Sequence, residues 1–346
     1  MSSQTHAAPT LSTVTISYDQ LKDTSADLSD KIELGFGPNG LGTLSVSNVP
    51  GYQLLRRNLL CLAPRYEFNE LAILIMSSAL FTPILASLPE DVKWQLEDPI
   101  SRYNFGWSHG KEKLESGKPG NLGPWTKDTL KGSFYANPIL DVPTNDQSLV
   151  KRYPSYCGPN IWPHDVLPEL ELAFKALGKL ILDVGLLLAH HCDQYSKSWF
   201  PYRSYSCNFH EGYRYCGNTL SRQHCRPLCK NTFRSNSQSI HLSAHCPTSI
   251  KVVYGEDEIA YQVGETTEIL SGGQLCATPH CVWAPKGEVA SGVERSTFAL
   301  FMQPNWDEKL VFPEPVNIHE FIIPKGSISF GDYTENVLDK YYEPNA

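Results

Sequence analysis

The strongest periodicity in the chain lies between Asp165 and Tyr195. Leu170, Phe174, Leu177, Ile181, Val184 and Leu188 recur every three or four residues, which predicts one long helix with a single buried stripe. Asp165 stands where a cap is needed, and Pro168 falls in the first turn, where a missing N–H is tolerated. Upstream the pattern is mixed. Residues 1–12 read as a mobile tail, and Val14-Thr15-Ile16 as a short apolar lead-in. Tyr18 to Leu34 reads as a first helix, ended by the glycines between Gly35 and Gly40. Thr43 to Val49 alternates like a strand and stops at Pro50-Gly51. Residues 53–98 hold helical patches around Leu71 to Leu88, interrupted at Pro83 and stopped by Pro89. Residues 104–143 are rich in Gly and Pro and read as loops. Downstream, Ile250–Val253 and Glu258–Val263 are strand candidates around the hairpin-like turn Gly255-Glu256-Asp257. The apolar run Phe298 to Met302 is a third, Phe312 to Pro315 a loop, and Gly331 to Tyr342 a closing helix.

Composition narrows the class. The chain has 346 residues, 41% hydrophobic and 19% charged, as expected of a soluble globular protein with a substantial core. A net charge of −8 argues against nucleic acid as the partner. No apolar run is long enough to span a bilayer, and the first residues lack the basic and apolar segments of a secretory signal. The 10 cysteines therefore read as cytoplasmic thiols rather than a disulfide frame. Five of them fall between Cys207 and Cys246, so that stretch stands apart from its surroundings.

Two features between Tyr261 and Pro304 carry candidate chemistry. His280 follows the Gly272-Gly273 turn, inside Ala277-Thr278-Pro279-His280-Cys281. Arg295 and Thr297 open the apolar run, two residues apart. Residues at i and i+2 of a strand share a face, so a guanidinium and a hydroxyl can hold one carboxylate together. Each also has a plainer reading: a satisfied core histidine, and an arginine in a structural ion pair.

This stretch resembles the 2-oxoglutarate/Fe(II)-dependent dioxygenases, in their isopenicillin-N-synthase-like branch. Members of that family carry His-x-Asp plus a distal His on iron, and an Arg-x-Ser that holds the far carboxylate of 2-oxoglutarate. His280 matches the distal His. Arg295 and Thr297 match Arg-x-Ser with the hydroxyl kept, and Leu300-Phe301-Met302-Gln303-Pro304 resembles the segment that follows. The resemblance implies a mixed α/β fold with a mainly β core: a double-stranded β-helix, or jelly roll, behind an N-terminal helical region and a long supporting helix. It also implies Fe(II) and 2-oxoglutarate as cofactors, a small organic molecule as substrate, and decarboxylation to succinate. The same likeness covers roughly residues 13–197 and 248–342. Gly106-Trp107-Ser108-His109 resembles the family's stretch before the substrate pocket, with His109 either facing substrate or packed in a loop.

The near half of the metal site is missing. His191-Cys192-Asp193 spells His-x-Asp, but it lies on the long helix. There i and i+2 are about 200° apart around the axis and cannot share an ion. Near the position that family spacing implies stand His224 and, two residues on, Arg226, which has no lone pair for a metal. The segment 198–247 also lacks strand-like alternation, so the jelly roll is expected to be incomplete. Three readings compete for this segment. It can be a zinc site built on Cys225 and Cys229 with Cys207, Cys216, His224 and Cys246 nearby. It can belong to a member that keeps the fold for binding only. Or it can be a stretch read out of frame, restored near Ile250, in an otherwise active dioxygenase. The expected organisation is a tail over 1–12, a helical module with loops and the long helix over 13–197, the anomalous segment 198–247, and the C-terminal part of the jelly roll with its closing helix over 248–346. The expected protein is a cytoplasmic monomer with impaired oxygenase activity and neither a nucleic-acid nor a membrane partner.

Overall fold

The structure is a computed structural model. It describes residues 9–60, 84–111, 113–114, 126–127, 131–199, 215–224, 240–242, 250–278, 280–281, 294–312, 316–318, 321–323 and 326–341. The first half of the chain contributes β1 (Thr10–Ser12), β2 (Val14–Ser17), β3 (Thr43–Ser47), β4 (Gly106–His109), β5 (Lys113–Leu114), β6 (Thr126–Lys127) and β7 (Lys131–Ala136). The second half contributes β8 (Tyr215–His224), β9 (Ile240–Leu242), β10 (Ile250–Val253), β11 (Ile259–Gln262), β12 (His280–Cys281) and β13 (Glu294–Gln303). Four short strands close the chain: β14 (Lys309–Phe312), β15 (Val316–Ile318), β16 (Phe321–Ile323) and β17 (Gly326–Ser329).

Three sheets organise the described residues. The first runs β1-β10-β9-β12, the second β11-β3-β2, and the third β13-β8-β7-β4. The third is antiparallel throughout. Parallel pairs occur at β1 with β10 and β2 with β3. Three hairpin-sized pairs, β14-β17, β15-β16 and β5-β6, complete the set.

The long helix spans Glu169–Trp199, starting just after Pro168. Its stripe is buried as the periodicity demands: Leu170, Phe174, Leu177, Ile181, Val184 and Leu188 all lie in the main core. Phe174 is the keystone against the third sheet. Its ring meets Phe298 of β13 edge-on at 5.1 Å and Phe134 of β7 at 6.1 Å. One face of the third sheet, carrying Trp107, Phe134 and Phe298, is thus covered by the helix.

Several elements differ from what the pattern predicts, each for a local reason. The expected helix from Tyr18 to Leu34 is two, Tyr18–Lys22 and Ser29–Phe36. Asp23 accepts from the Ser25 N–H at 3.1 Å and hydroxyl at 2.6 Å, and Asp27 accepts from the Ser29 N–H at 3.0 Å. Such local side-chain bonds compete with the helix ladder and break it. Thr10–Ser12, expected in a mobile tail, is strand β1, tied by Thr13 N–H to the Val253 carbonyl and Lys251 N–H to the Pro9 carbonyl. β10 and β11 do not form a hairpin: β10 pairs with β1 and β9, β11 with β3. The turn between them hands the chain from one sheet to another. The helix Ile84–Ser87 stops before Pro89, as expected, and Pro89 precedes a new one, Glu90–Gln95; residues 71–83 lie outside the described residues. A helix, Glu265–Ser271, stands between β11 and the Gly272-Gly273 turn. The closing helix is Phe330–Tyr341.

The segment 198–247 supplies two strands that its composition conceals. β8 pairs along its whole length with β13 and, over Asn218 to Gln223, with β7. β9 pairs with both β10 and β12. Strands from before, within and after this segment therefore share sheets. The closing helix is tied back to the loop before β4 by Arg102, whose guanidinium reaches Glu335 at 3.0 Å and Asp339 at 2.7 Å. Among the described residues no helix is long and apolar enough to cross a membrane.

Candidate functional site

His280 opens β12, and the chain leading to it is pinned at several points. Helix Glu265–Ser271 ends at Gly272, whose φ of +65 is left-handed, followed by Gly273 at +83; both conformations favour glycine. The Ser271 hydroxyl accepts the Leu275 N–H at 3.1 Å. The Cys276 N–H donates to the Phe36 carbonyl at 2.7 Å. The Glu268 carboxylate accepts the Ala277 N–H at 2.6 Å. The imidazole itself is exposed, with Nδ1 3.2 Å from the Thr278 carbonyl oxygen. A carbonyl can only accept, so Nδ1 carries the hydrogen and Nε2 keeps its lone pair. In the neutral imidazole this leaves Nε2 as the nitrogen able to bind a metal, with the ring held by a backbone oxygen.

Arg295 and Thr297 lie near the start of β13, the edge strand of the third sheet. Arg295 pairs with Gln223 and Thr297 with Ser221. The alternation of β13 is fixed by its buried side: Phe298, Leu300 and Met302 pack on the main core. The positions 295, 297 and 299 therefore belong to the opposite face. Thr297 is half-buried. The structure thus brings Arg295 and Thr297 onto one strand face, and places His280 on a different sheet, at the end of the order β1-β10-β9-β12.

The His-x-Asp look-alike on the long helix is engaged elsewhere. His191 is buried, and its Nε2 donates to the Leu21 carbonyl at 3.0 Å. That bond ties the long helix to the first short one. Asp193 is buried as well. His190 approaches Gln194 Nε2 at 3.2 Å. His109 ends β4 on the Trp107 face, its ring 6.4 Å from that indole. Among the described residues no three or more His, Cys, Asp or Glu side chains gather as a metal would require. The cysteines at 207, 225, 229 and 246 of the zinc reading lie outside the described residues, as does Arg226. Cys157 and Cys192 are buried thiols without disulfides, and burial pushes the Cys157 thiol up to about 11.

Sequence reasoning missed one feature of the third sheet. Opposite Thr297 stands Ser221, opposite Ser221 stands Ser133, and opposite Ser133 stands Ser108. A hydroxyl residue occupies the same row of four successive strands, on the face that carries Arg295. The signal was present in Trp107-Ser108 and Ser133-Phe134, where polar and apolar residues alternate. Without the register nothing aligned them.

No protein-family model matches the chain, and no curated protein does. Solved structures do match its fold. A Caulobacter crescentus protein described as belonging to the 2OG-Fe(II) oxygenase family superposes with a TM-score of 0.61 at 14% identity, over 94% of this chain and 98% of that one. A full-length Neurospora crassa protein, solved in complex with alpha-KG and 5-formyluracil, superposes at 0.59 with 14% identity, over 94% and 95%. JOX2, in complex with 2OG, Fe and JA, superposes at 0.56 with 12% identity, over 97% and 91%. At such identities the likeness is one of fold: this chain has the mixed α/β architecture of solved 2OG-Fe(II) oxygenases, over nearly its whole length.

Proposed function

We propose that this chain is an oxygenase-fold protein of the 2-oxoglutarate/Fe(II) type, built on a jelly-roll core, whose turnover is impaired. Arg295 and Thr297 hold the far carboxylate of 2-oxoglutarate, and His280 is the iron ligand that remains. The observation that carries this reading is the shared face of Arg295 and Thr297 on an edge strand, in a fold whose solved representatives include complexes with 2OG or alpha-KG. The tautomer of His280 agrees with a ligand role. When bound with a full ligand set, iron would supply oxygen activation coupled to decarboxylation of the diacid. The residues present do not fit that group: a facial site takes two histidines and a carboxylate, whereas Arg226, two residues after His224, stands where the family spacing implies the carboxylate. No oxidation step is therefore derived. The partner remains a small organic molecule, met by a monomer in the cytoplasm.

A second reading is a non-catalytic protein that keeps the dicarboxylate pocket alone; Arg226, which has no lone pair for a metal and stands two residues after His224, favours it. Isothermal titration of 2-oxoglutarate, paired with metal analysis and a succinate assay, separates the two. The full chain should bind 2-oxoglutarate, and Arg295→Ala should weaken that binding by about 10- to 100-fold, the worth of a charge-assisted bond pair. Iron retained only in the presence of the diacid supports the impaired oxygenase; no iron in either state supports the binding protein. Robust succinate production by the purified chain would refute impairment. Equal affinity in wild type and Arg295→Ala would remove the diacid site.

A further inference from the structure

We propose that the turn before β4 and the closing helix form a latch. Arg102 grips Glu335 and Asp339, is thereby held in a left-handed backbone, and keeps the outer edge of β4 closed. The turn winds once, from Asp98 to Ser101, and ends as helices end. The Tyr103 N–H returns to the Asp98 carbonyl at 2.9 Å, and the Arg102 N–H to the Pro99 carbonyl at 3.0 Å. That pair of bonds needs a left-handed residue after the last turn, a place usually given to glycine or asparagine. Here Arg102 fills it at φ +55, and Tyr103 follows at +59. Both carry a Cβ that crowds the backbone in this region. Such conformations persist where surrounding contacts impose them, and they gather at clamps and switches.

The contacts that impose this one come from the closing helix. One guanidinium meets three oxygens there: Glu335 Oε2 at 3.0 Å, Asp339 Oδ1 at 2.7 Å and the Glu335 backbone carbonyl at 3.2 Å. The side chains of Arg102 and Glu335 are each 17% exposed, so these charge-assisted bonds are only thinly screened. Glycine would suit the backbone better but could reach nothing. An arginine at this position exchanges backbone ease for a grip on an element 233 positions further along.

The turn is in its own right closed against β4. The Ser101 hydroxyl accepts the Asn104 N–H at 3.2 Å and the Phe105 N–H at 3.3 Å. The Trp107 N–H donates to the Leu96 carbonyl at 2.9 Å, and Gly106 bridges to Glu97. These pairings pinch the loop at its neck, where β4 begins. The neck has no slack, since a Cβ on Gly106 would collide with the Leu96 carbonyl oxygen. Lys111, just after β4, spans it: the ammonium lies 4.7 Å from the Tyr103 ring and 2.8 Å from Glu97. β4 stands last in the order of the third sheet, so Leu96 and Glu97 are what its outer edge meets among the described residues.

Breaking the grip therefore acts at two places. It frees the closing helix, and it leaves two residues in a costly backbone that the ion pairs no longer hold. The turn then relaxes toward negative φ, the Tyr103 bond to Asp98 is lost, and the neck opens beside β4. Trp107 and His109 stand on that strand, so an event at the C-terminal helix reaches the edge of the third sheet. Elements of this kind open locally, at a lower free energy than the whole fold. The coupling holds whether or not the chain is an oxygenase.

Hydrogen exchange of the full chain, followed by mass spectrometry, tests the latch with two substitutions at one position. Arg102→Gln keeps a Cβ in the left-handed turn but loses the ion pairs. It should speed exchange about ten-fold or more both over Phe330–Tyr341 and from Phe105 to His109. Arg102→Gly loses the same ion pairs but meets the turn without a Cβ. It should loosen the closing helix as much and leave Phe105 to His109 close to wild type. An ordinary ion pair would make the two variants alike. The latch is overturned if Arg102→Gln leaves Phe105 to His109 unchanged, or if Arg102→Gly speeds exchange there equally. Should Arg102→Gln fail to fold, Asp339→Asn weakens the grip from the helix side with the turn's sequence intact. Exchange must then rise in both segments; a rise in the helix alone, or in neither, overturns the latch.

Discussion

Among single residues, much rests on where one atom fits. Gly132 of β7 lies under Trp107: a Cβ there would stand 2.5 Å from the indole Cη2 and 2.9 Å from Cζ2. The indole is rigid and buried, so it must shift as a unit. Gly132→Ala should cost about 1–3 kcal/mol, the usual penalty of overpacking a closed core, read as a lower urea midpoint with unchanged slope. No change would mean the Trp107 side is looser than its burial implies. His280, Arg295 and Thr297 could be singled out as candidates from the sequence because the signals are local: an i, i+2 pair, and a histidine after a glycine turn. The row of hydroxyl residues from Ser108 to Thr297 was not, because it depends on the register of four strands.

Among the helices and strands, the long helix could be read from spacing alone. One amphipathic stripe of that length has few other solutions. β8 could not. Gly217-Asn218 is a poor strand former by type and Ser221-Arg222-Gln223 has no β-branched or aromatic residue, yet the stretch is flanked on both sides by ladders from β7 and β13. Tertiary pairing overrides propensity there. Thr219 faces Ala299 on one side and Tyr135 on the other. Thr219→Pro removes a ladder donor from a central strand, where proline is excluded, and should destabilise by at least about 2 kcal/mol. Thermal melts of the full-length variant decide it. A tolerated proline would mean that β8 is no part of the sheet and would favour the altered-frame reading, which peptide mass spectra across 198–247 test directly.

Across the molecule as a whole, the closing helix locks the chain. Arg102 bridges it to the loop before β4, Ser155 donates to Glu335, and Tyr153 donates to Asp332 at 3.0 Å. Burial pushes the Glu335 carboxyl above its ordinary 4.5, although the Ser155 hydroxyl and Arg102 pull the other way. The folded protein therefore holds this proton to higher pH than the unfolded chain does. The stability so gained is complete below about 4.5 and fades as pH rises through the raised folded value. Asp332 runs opposite. Its burial raises the carboxyl, but bonds from Ser329, Tyr153 and Arg152 outweigh that and hold it below 3.8, so its contribution is lost as pH falls through the folded value. Glu335→Gln should flatten the decline in melting temperature just above pH 4.5 and leave the acid limb in place, as scans from about pH 4 to 7 would show. An unaltered profile would mean Glu335 titrates as it does in water.

Residue order alone was enough for the long helix, the strand that carries Arg295 and Thr297, the turn that delivers His280, and the lack of a local His-x-Asp on any strand-like stretch. These follow from periodicity and neighbouring residue types, which act over a few positions of chain. It took the folded chain to put β10 and β11 into different sheets, to pair Thr10–Ser12 rather than let it fray, and to seat β8 between β7 and β13. Each depends on hydrogen bonds to backbone far away in sequence, and an unpaired strand carries no record of its partner. The buried row of hydroxyls across four strands belongs to the same class: it exists only once the register is set.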